Sequence, residues 1–286
     1  MSALPRVWQH RTGEFRLGER TLIMGVLNVT PDSFSDGGRH FTPEEARVRA
    51  AEIRDQGADL LDVGAESTRP GSPGVPEDEQ LRRLLPVLET LGPSFPIPIS
   101  VDTRSARVAK ECIAAGASIV NDVSGFGDDP ELPDVCADAA VGVVLMHMRG
   151  APATMQSDVE YGDLIGEIRQ SLKESTRRAR SAGIESTCIL IDPGIGFGKS
   201  FEQNHRLIGS LHRFRDLAAG VLVGTSRKGF TGEFSKLPPE QRQYSTAATV
   251  AICCLHGADV VRVHDVTEMK QVVDICDRFR QVRAAD

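Results

Sequence analysis

The chain has 286 residues, 40% of them apolar and 26% charged, and a formal net charge of −7 at pH 7. This length is close to the roughly 250 residues of one β/α barrel, and the acidic charge without any Lys/Arg-rich stretch argues against a nucleic-acid-binding protein. No apolar stretch approaches the roughly 18 residues of a membrane span, and the first residues lack the apolar core of a signal peptide. With six cysteines and no CxxC spacing, we expect a cytoplasmic protein with buried, reduced thiols.

The first 20 residues lie outside the repeating pattern that fills the rest of the chain. Residues 7–20, with Gly13 near their centre, predict a β-hairpin that covers the bottom of a barrel. We therefore divide the chain into an N-terminal extension, residues 1–20, and one barrel domain, residues 21–286.

From residue 22 onward, short apolar runs alternate with helical patterns. The runs cover residues 22–27, 60–65, 97–101, 118–120, 143–146, 188–191, 221–224 and 260–261. The helical patterns cover residues 42–57, 77–91, 105–115, 130–140, 161–182, 201–214, 239–256 and 267–282. Such alternation predicts parallel βαβ units, and eight units favour a (β/α)8 TIM barrel. The alternative, a doubly wound sheet, would normally carry a glycine-rich turn after its first strand, and NVTP at residues 28–31 is not one.

Nearly every apolar run ends in a polar or charged residue. In a parallel barrel these ends meet at one mouth, where such barrels hold their chemistry. The residues at or just beyond the ends are Asn28, Glu66, Thr68, Arg69, Asp102, Asn121, Asp122, His147, Asp192, Thr225, Ser226, Arg227, Lys228, Arg262 and His264.

The charges of this set indicate the kind of ligand. Cations gathered at one mouth of an acidic protein favour an anionic ligand, and the amides at the start of the last helix would add to the attraction. The cations are Arg69, Arg227, Lys228, Arg262 and His264. Carboxylates beside an amide, as at Asp102, Asn121 and Asp192, suit a planar heterocycle with an amino group and a ring N–H. The expected ligand therefore has an anionic end and a donor-rich ring.

Two loops at the mouth, residues 28–41 and 67–76, are too long and too rich in Gly, Pro, Ser and Asp to be plain connectors. Their functional candidates are Phe34, Asp36, Thr68, Arg69 and Pro70. The alternative is that both are ordinary solvated surface loops.

Residues 194–200, GIGFGKS, imitate a phosphate-binding loop. A true phosphate-binding loop has four residues between its first Gly and the Gly-Lys pair. The position of that first Gly holds Pro193 here, so we expect Phe197 to form an apolar wall instead. Three single residues have plainer alternatives: Asp102 as a helix cap, His147 as a structural histidine and Lys199 as a surface charge.

Eight motifs in order resemble those of dihydropteroate synthases, over nearly the whole chain from about residue 21. They are NVTPDSFSDGG at 28–38, ESTRPG at 66–71, VDT at 101–103, NDVSG at 121–125, LMHM at 145–148, DPGIGFGK at 192–199, SRK at 226–228 and RVHDV at 262–266. The resemblance implies a barrel enzyme of folate biosynthesis that joins 4-aminobenzoate to 6-hydroxymethyl-7,8-dihydropterin diphosphate and releases diphosphate. It also implies Mg²⁺ as cofactor, a homodimer and membership of the enzyme family that sulfonamides target.

The resemblance also assigns roles to particular residues. The pterin would be held by Asp102, Asn121, Met146, Asp192 and Lys228. The diphosphate would be held by Thr68, Arg69, Arg262 and His264. The aminobenzoate site would be formed by Phe34, Pro70 and Phe197. Asn28 would ligate Mg²⁺.

The reaction expected from these roles is dissociative. Arg262 and His264 would stabilise the departing diphosphate. Asp36 would stabilise the pterin cation, with Lys228 also in the catalytic set. Gly229 departs from a family pattern that often has Ser or a larger side chain, which bears on the aminobenzoate contact.

Two rival functions remain open at this stage. A pterin-binding methyltransferase barrel would share the Asp/Asn clamp but would not need a diphosphate site. A non-catalytic pterin-binding paralogue would bind pterin without turnover. The late helical patterns, 239–256 and 267–282, are candidates for the dimer interface.

Overall fold

A computed structural model describes residues 6–30, 42–66, 72, 74–150, 155 and 159–285. Eight parallel strands form a closed barrel in the order β10-β3-β4-β5-β6-β7-β8-β9. Their bounds are β3 Leu22–Asn28, β4 Leu60–Gly64, β5 Ile99–Asp102, β6 Ile119–Asp122, β7 Gly142–Met146, β8 Ile189–Asp192, β9 Gly220–Val223 and β10 Val260–Val263. The predicted TIM barrel is confirmed.

The described residues also contain eight α-helices that surround the barrel. They are α1 Pro43–Asp55, α2 Glu77–Leu91, α3 Ala106–Ala114, α4 Leu132–Asp138, α5 Leu164–Ser181, α6 Phe201–Gly209, α7 Gln243–His256 and α8 Val266–Ala285. Local sequence explains their starts: at α1, the Thr42 side chain accepts from the Glu45 amide while Glu45 accepts from the Thr42 amide, which is a capping box.

Two of the predicted helical segments are each divided into an α-helix and a 3₁₀ turn in the structure. The pattern over 201–214 ends as an α-helix at Gly209, and Leu211–Phe214 forms a separate 3₁₀ turn. The pattern over 239–256 begins with a 3₁₀ turn, Pro239–Gln241, and becomes α-helical only at Gln243. Low helix propensity at Gly209 and the non-helical backbone of Arg242, with ψ of 22°, explain the two interruptions.

The first strands, β1 Arg6–His10 and β2 Gly13–Leu17, pair as an antiparallel hairpin. Trp8 and Leu17 are buried in one cluster with apolar residues inside the barrel. The barrel members of that cluster are Leu22, Met24, Leu60, Ile119, Val144, Leu190, Leu222 and Val260. Because these residues stand at or near the amino ends of their strands, the hairpin closes the bottom of the barrel as predicted. The division into residues 1–20 and 21–286 stays a prediction.

All six cysteines are unpaired, and five of them are buried, as the sequence predicted. Within the described ranges, no helix is both long and apolar enough to cross a membrane.

Candidate active site

The barrel interior changes from apolar to polar along four of the strands, β4, β6, β8 and β10. Side chains two residues apart share a face of a strand. The apolar residue near the bottom and the polar residue two positions later therefore both face the barrel interior. Leu60 precedes Asp62, Ile119 precedes Asn121, Leu190 precedes Asp192, and Val260 precedes Arg262. The alternate residues of these strands, such as Leu61 and Val261, belong to the core between strands and helices. The polar set therefore collects at the carboxyl mouth.

Nine of the predicted site residues lie in the described part of the chain. They are Asn28, Asp102, Asn121, Met146, Asp192, Phe197, Lys228, Arg262 and His264. The other five, Phe34, Asp36, Thr68, Arg69 and Pro70, lie outside the described residues.

Arg262 is the centre of a buried network. Its Nε donates to Asp62 Oδ2 at 2.6 Å, and its Nη2 donates to Asp102 Oδ2 at 3.2 Å. Asn121 Nδ2 donates to the same Asp62 oxygen at 3.2 Å. The suggestion that Asp102 caps a helix is wrong, because Ser105 is the N-cap of α3 and Asp102 pairs with Arg262.

Asp62 was missed by the sequence analysis. It lies within an apolar run, LLDVG, and its side chain is fully buried. A signal was present: an acid inside a strand, in step with the interior residue Leu60, has to face the barrel interior, and a buried carboxylate needs a partner.

Two carboxylates share this one guanidinium. The pKa of Asp102 is raised to about 7, first by burial and then by the negative charge of Asp62, while the charge of Arg262 opposes the shift. Asp62 Oδ1 is buried without a hydrogen-bond partner among the described residues. An orphaned acceptor beside a carboxyl group that titrates near neutrality suits a ligand that brings N–H donors.

A second cluster joins Asp192, Lys228 and Phe197. Asp192 Oδ1 accepts from the Gly194 amide at 2.7 Å, and burial raises the pKa of Asp192 while the charge of Lys228 lowers it. Lys228 Nζ donates to Ile195 O at 2.5 Å and lies 4.5 Å from the centre of the Phe197 ring. Burial lowers the pKa of Lys228 to about 8, against the opposing charge of Asp192.

An apolar wall adjoins this cluster. Met146 and Phe197 are buried together with Val123 and Met155, and Met148 packs against them. The expectation that Phe197 forms an apolar wall is thereby confirmed. Gly229, the departure noted above, faces Phe201: an added methyl group would lie 3.7 Å from that ring, in ordinary contact.

The last two loops of the mouth hold a histidine and an arginine in different ways. His264 Nδ1 lies 3.0 Å from Ser226 Oγ, which also accepts from the His264 amide at 3.3 Å. Arg227 donates to both oxygens of Asp265, at 2.5 and 3.1 Å. The charge of its guanidinium is therefore already paired with that of Asp265.

Two further expectations concern His147 and Lys199. The surface-charge interpretation of Lys199 is wrong, because only 1% of this residue is exposed. Its Nζ lies 3.0 Å from His147 Nδ1. His147 is also buried and has a partner in Lys199, as the alternative of a structural histidine requires.

Asn28 ends β3 at the mouth, as expected of a metal ligand. A methyl group added at Gly64 would lie 3.8 Å from both Asn28 Oδ1 and Asp102 Oδ2, so these two oxygens border one small space. In the described ranges, no group of three His, Cys, Asp or Glu side chains could hold a metal. The two oxygens of Asn28 and Asp102 nevertheless fit Mg²⁺, which usually takes one or two protein oxygens and completes its shell with water and substrate phosphate.

Comparison with known proteins gives one consistent result. Residues 24–264 match the family described as "Pterin binding enzyme". The chain is 44% identical over 259 residues to the dihydropteroate synthase of Bacillus subtilis, covering 91% of this chain and 88% of that one. The Yersinia pestis dihydropteroate synthase, solved with a sulfonamide drug complex, superposes with a TM-score of 0.90 at 38% identity, over 96% of this chain and 99% of that one.

A third relative extends over the full length of both proteins. The Burkholderia cenocepacia dihydropteroate synthase, solved with 7,8-dihydropteroate, superposes with a TM-score of 0.89 at 35% identity and covers 100% of each chain. The family match and these relatives agree with the order of the motifs along the barrel. The chain therefore belongs to the dihydropteroate synthases, transferases within the pterin-binding enzyme family.

Proposed function

We propose that this barrel condenses 6-hydroxymethyl-7,8-dihydropterin diphosphate with 4-aminobenzoate to give 7,8-dihydropteroate and diphosphate. The observation that carries the proposal is the Arg262 network, since Arg262 donates to both Asp62 and Asp102 while 22% of its side chain stays exposed. Nη1 has no hydrogen-bond partner in the described part of the chain. One guanidinium can thus hold the two acids and still donate to an anion.

The pterin would lie between the two clusters. Asp192 and Asn121 would meet its amino group and ring N–H, Asp102 would accept a further N–H, and Met146 would pack on the ring face. Lys228, 4.5 Å from the Phe197 ring centre, would donate to a ring acceptor. Burial of these polar groups supports the assignment, because each costs free energy unless a ligand or a neighbour pairs with it.

The diphosphate would lie at the outer end of the site. Arg262 and His264 would bind it together with Thr68 and Arg69, and the amides at the start of α8, which begins two residues after His264, would add to the attraction. Asn28 would hold Mg²⁺, and bound Mg²⁺ would neutralise charge on the diphosphate. These groups stabilise charge that grows as the C–O bond breaks, so they favour a dissociative substitution.

The remaining steps use the pterin and the amine. The positive charge left on the methylene carbon spreads into the pterin, and Asp36 would stabilise it. The neutral arylamine then attacks that carbon from a site formed by Phe34, Pro70 and Phe197, and afterwards loses its proton. Exclusion of water by the mouth loops would prevent capture of the cation.

The proposal includes a homodimer in the cytoplasm. Exposed apolar side chains lie on α7 and α8, at spacings of three and four residues that place them on shared helix faces. They are Ile252, Leu255, Ile275, Phe279 and Val282. Such a patch is typical of a protein interface, and the six unpaired cysteines support a reducing compartment.

The test is diphosphate release from the purified protein with the pterin diphosphate, Mg²⁺ and 4-aminobenzoate. We expect release that depends on aminobenzoate and falls at least a hundredfold in Arg262→Ala. Pterin binding without release in the wild type would favour the non-catalytic alternative, and pterin binding with methyl transfer would favour the methyltransferase. Either result would overturn the proposal.

A further inference from the structure

We propose that Lys199 is a positioning residue that holds the loop after β8, residues 192–199, in the shape that the pterin and aminobenzoate sites require. The inference rests on the proposed roles of Asp192 and Phe197. Lys199 has no part in the chemistry described above, yet it is one of the largest fully buried side chains of the protein.

The side chain of Lys199 is held by three acceptors. Nζ lies 2.8 Å from Gly194 O, 2.9 Å from Phe197 O and 3.0 Å from His147 Nδ1. An ammonium group has three N–H bonds, so these contacts use all of them, whereas a neutral amine has only two. Burial lowers the pKa of Lys199 well below its usual range, and the charges of Lys228 and Arg149 lower it as well, whereas the charge of Asp192 opposes that shift. The three acceptors also favour the charged form.

His147 is suited to accept one of these bonds. The pKa of His147 is lowered to about 2, first by burial and then by the positive charges of Lys199 and Arg149. The imidazole is therefore neutral at any pH at which the enzyme works, with its proton on Nε2 and its lone pair on Nδ1 directed at Lys199. The bond to Lys199 will not be lost by titration of His147.

Lys199 connects two loops whose backbones touch. A Cβ at Gly194 would lie 1.9 Å from His147 O, and a Cβ at Gly198 would lie 2.7 Å from Arg149 O, so neither position admits a side chain. Both glycines also have positive φ. Because the two loops pack this closely, backbone carbonyl groups are buried and need hydrogen-bond donors. The Lys199 ammonium supplies such donors.

The contacts pass from Lys199 to both proposed subsites. The Gly194 residue accepts from Lys199 through its carbonyl and donates through its amide to Asp192 Oδ1. Phe197 accepts from Lys199 through its carbonyl, and its ring lies under Lys228. A change at Lys199 therefore moves a proposed pterin ligand and the proposed aminobenzoate wall together.

Lys199 also acts on Asp192 through its charge. The groups that face Asp192 are Lys199 from its own loop, Lys228 from the loop after β9, Arg262 from β10 and the Cys253 thiol from α7. The positive charge of Lys199 lowers the pKa of Asp192. Without that charge the pKa of Asp192 rises, and the acidic limb of pterin binding moves to higher pH.

The experiment compares Lys199→Met with Lys110→Met, a matched loss of an exposed lysine on α3. Binding of the pterin diphosphate is measured by calorimetry from pH 5 to 8, and KM and kcat are measured for both substrates. We expect Lys199→Met to raise the dissociation constant about tenfold or more, to move the acidic limb upward and to raise the KM for aminobenzoate. Lys110→Met should match the wild type.

A second pair covers the case in which Lys199→Met does not fold. His147→Asn keeps an acceptor near the place of Nδ1, whereas His147→Leu removes it. Weaker pterin binding in His147→Leu than in His147→Asn supports the proposal. Equal binding in that pair, or wild-type binding and pH dependence in a folded Lys199→Met, overturns it. A wild type that binds no pterin diphosphate would instead overturn the proposed function, and this inference with it.

Discussion

Arg262 on β10 and Asp62 on β4 form an ion pair inside the barrel, with 2.6 Å between Nε and Oδ2. The two strands are not neighbours, since β3 lies between them. Side chains from alternate strands meet in layers inside such barrels. The pair therefore occupies the layer between the mouth and the apolar residues that pack against the hairpin. The closure of the barrel thus brings a cation 200 residues away in sequence to a buried acid.

The first prediction concerns this pair. Asp62→Asn should reduce kcat/KM about tenfold or more, because a charge-assisted hydrogen bond contributes about 1.5–3 kcal/mol. It should also lower the pKa of Asp102 from about 7, since the charge of Asp62 is one cause of its elevation. The measurement is the pH dependence of kcat/KM between pH 5 and 8.

The control for Asp62→Asn is Asp128→Asn. Asp128 forms an ion pair of the same 2.6 Å length with Arg104, but 47% of its side chain is exposed. Exposed pairs contribute little, so this variant should keep wild-type kinetics. Equal effects of the two substitutions would contradict the prediction.

The second prediction concerns Lys228. Because the pKa of Lys228 is lowered to about 8, its positive charge is present below that pH and lost above it. We expect kcat/KM to fall as pH rises through about 8. Lys228→Arg keeps its charge and should lose this basic limb even if its activity is lower at every pH. An unchanged limb in Lys228→Arg, measured from pH 6.5 to 9.5, would assign the titration to another group.

The third prediction concerns the hairpin. Trp8 is fully buried against the barrel interior, and its Nε1 donates to Cys188 O at 3.2 Å. Trp8→Ala should lower the free energy of unfolding by about 3–5 kcal/mol, as large-to-small substitutions in cores do. Trp8→Phe, which keeps most of the volume, should cost less. Urea denaturation gives both values, and KM should not change, because the hairpin lies at the opposite end of the barrel from the mouth.

The fourth prediction concerns the proposed dimer. Phe279 on α8 is 62% exposed and lies within the apolar patch of α7 and α8. Phe279→Glu should convert the dimer to a monomer, because an interface would bury the added charge without a partner. Val48→Glu, at an exposed apolar position of α1, should leave the mass unchanged. Light scattering after size exclusion measures both, and a wild type that elutes as a monomer would refute the dimer.

Features that depend on residues near one another in the chain were predicted correctly from the sequence. The full length of α2 follows from neighbouring residues, because helix periodicity depends on local interactions. The ends of the strands identified Asp102, Asn121, Asp192 and Arg262 for the same reason, since the alternation along one strand fixes which side chains face inward.

Partners across the barrel were not predictable in this way. Asp62 lies in an apolar run, and its partner Arg262 comes close to it only when β10 closes the barrel beside β3. Lys199, in a Gly-rich segment, was expected at the surface, yet it is buried because His147, from a loop 52 residues earlier, and two backbone carbonyls provide acceptors. A lysine is buried only where such acceptors converge.

The sequence by itself therefore determined the barrel, its hairpin and the end at which the polar residues gather, because strand and helix periods and their end signals are encoded locally. The tertiary structure decided which charges pair. It paired Arg262 with Asp62, paired Arg227 with Asp265 and turned Lys199 inward. The physical reason is that ion pairing and burial depend on distances between strands and loops far apart in the chain, and only the closed barrel sets those distances.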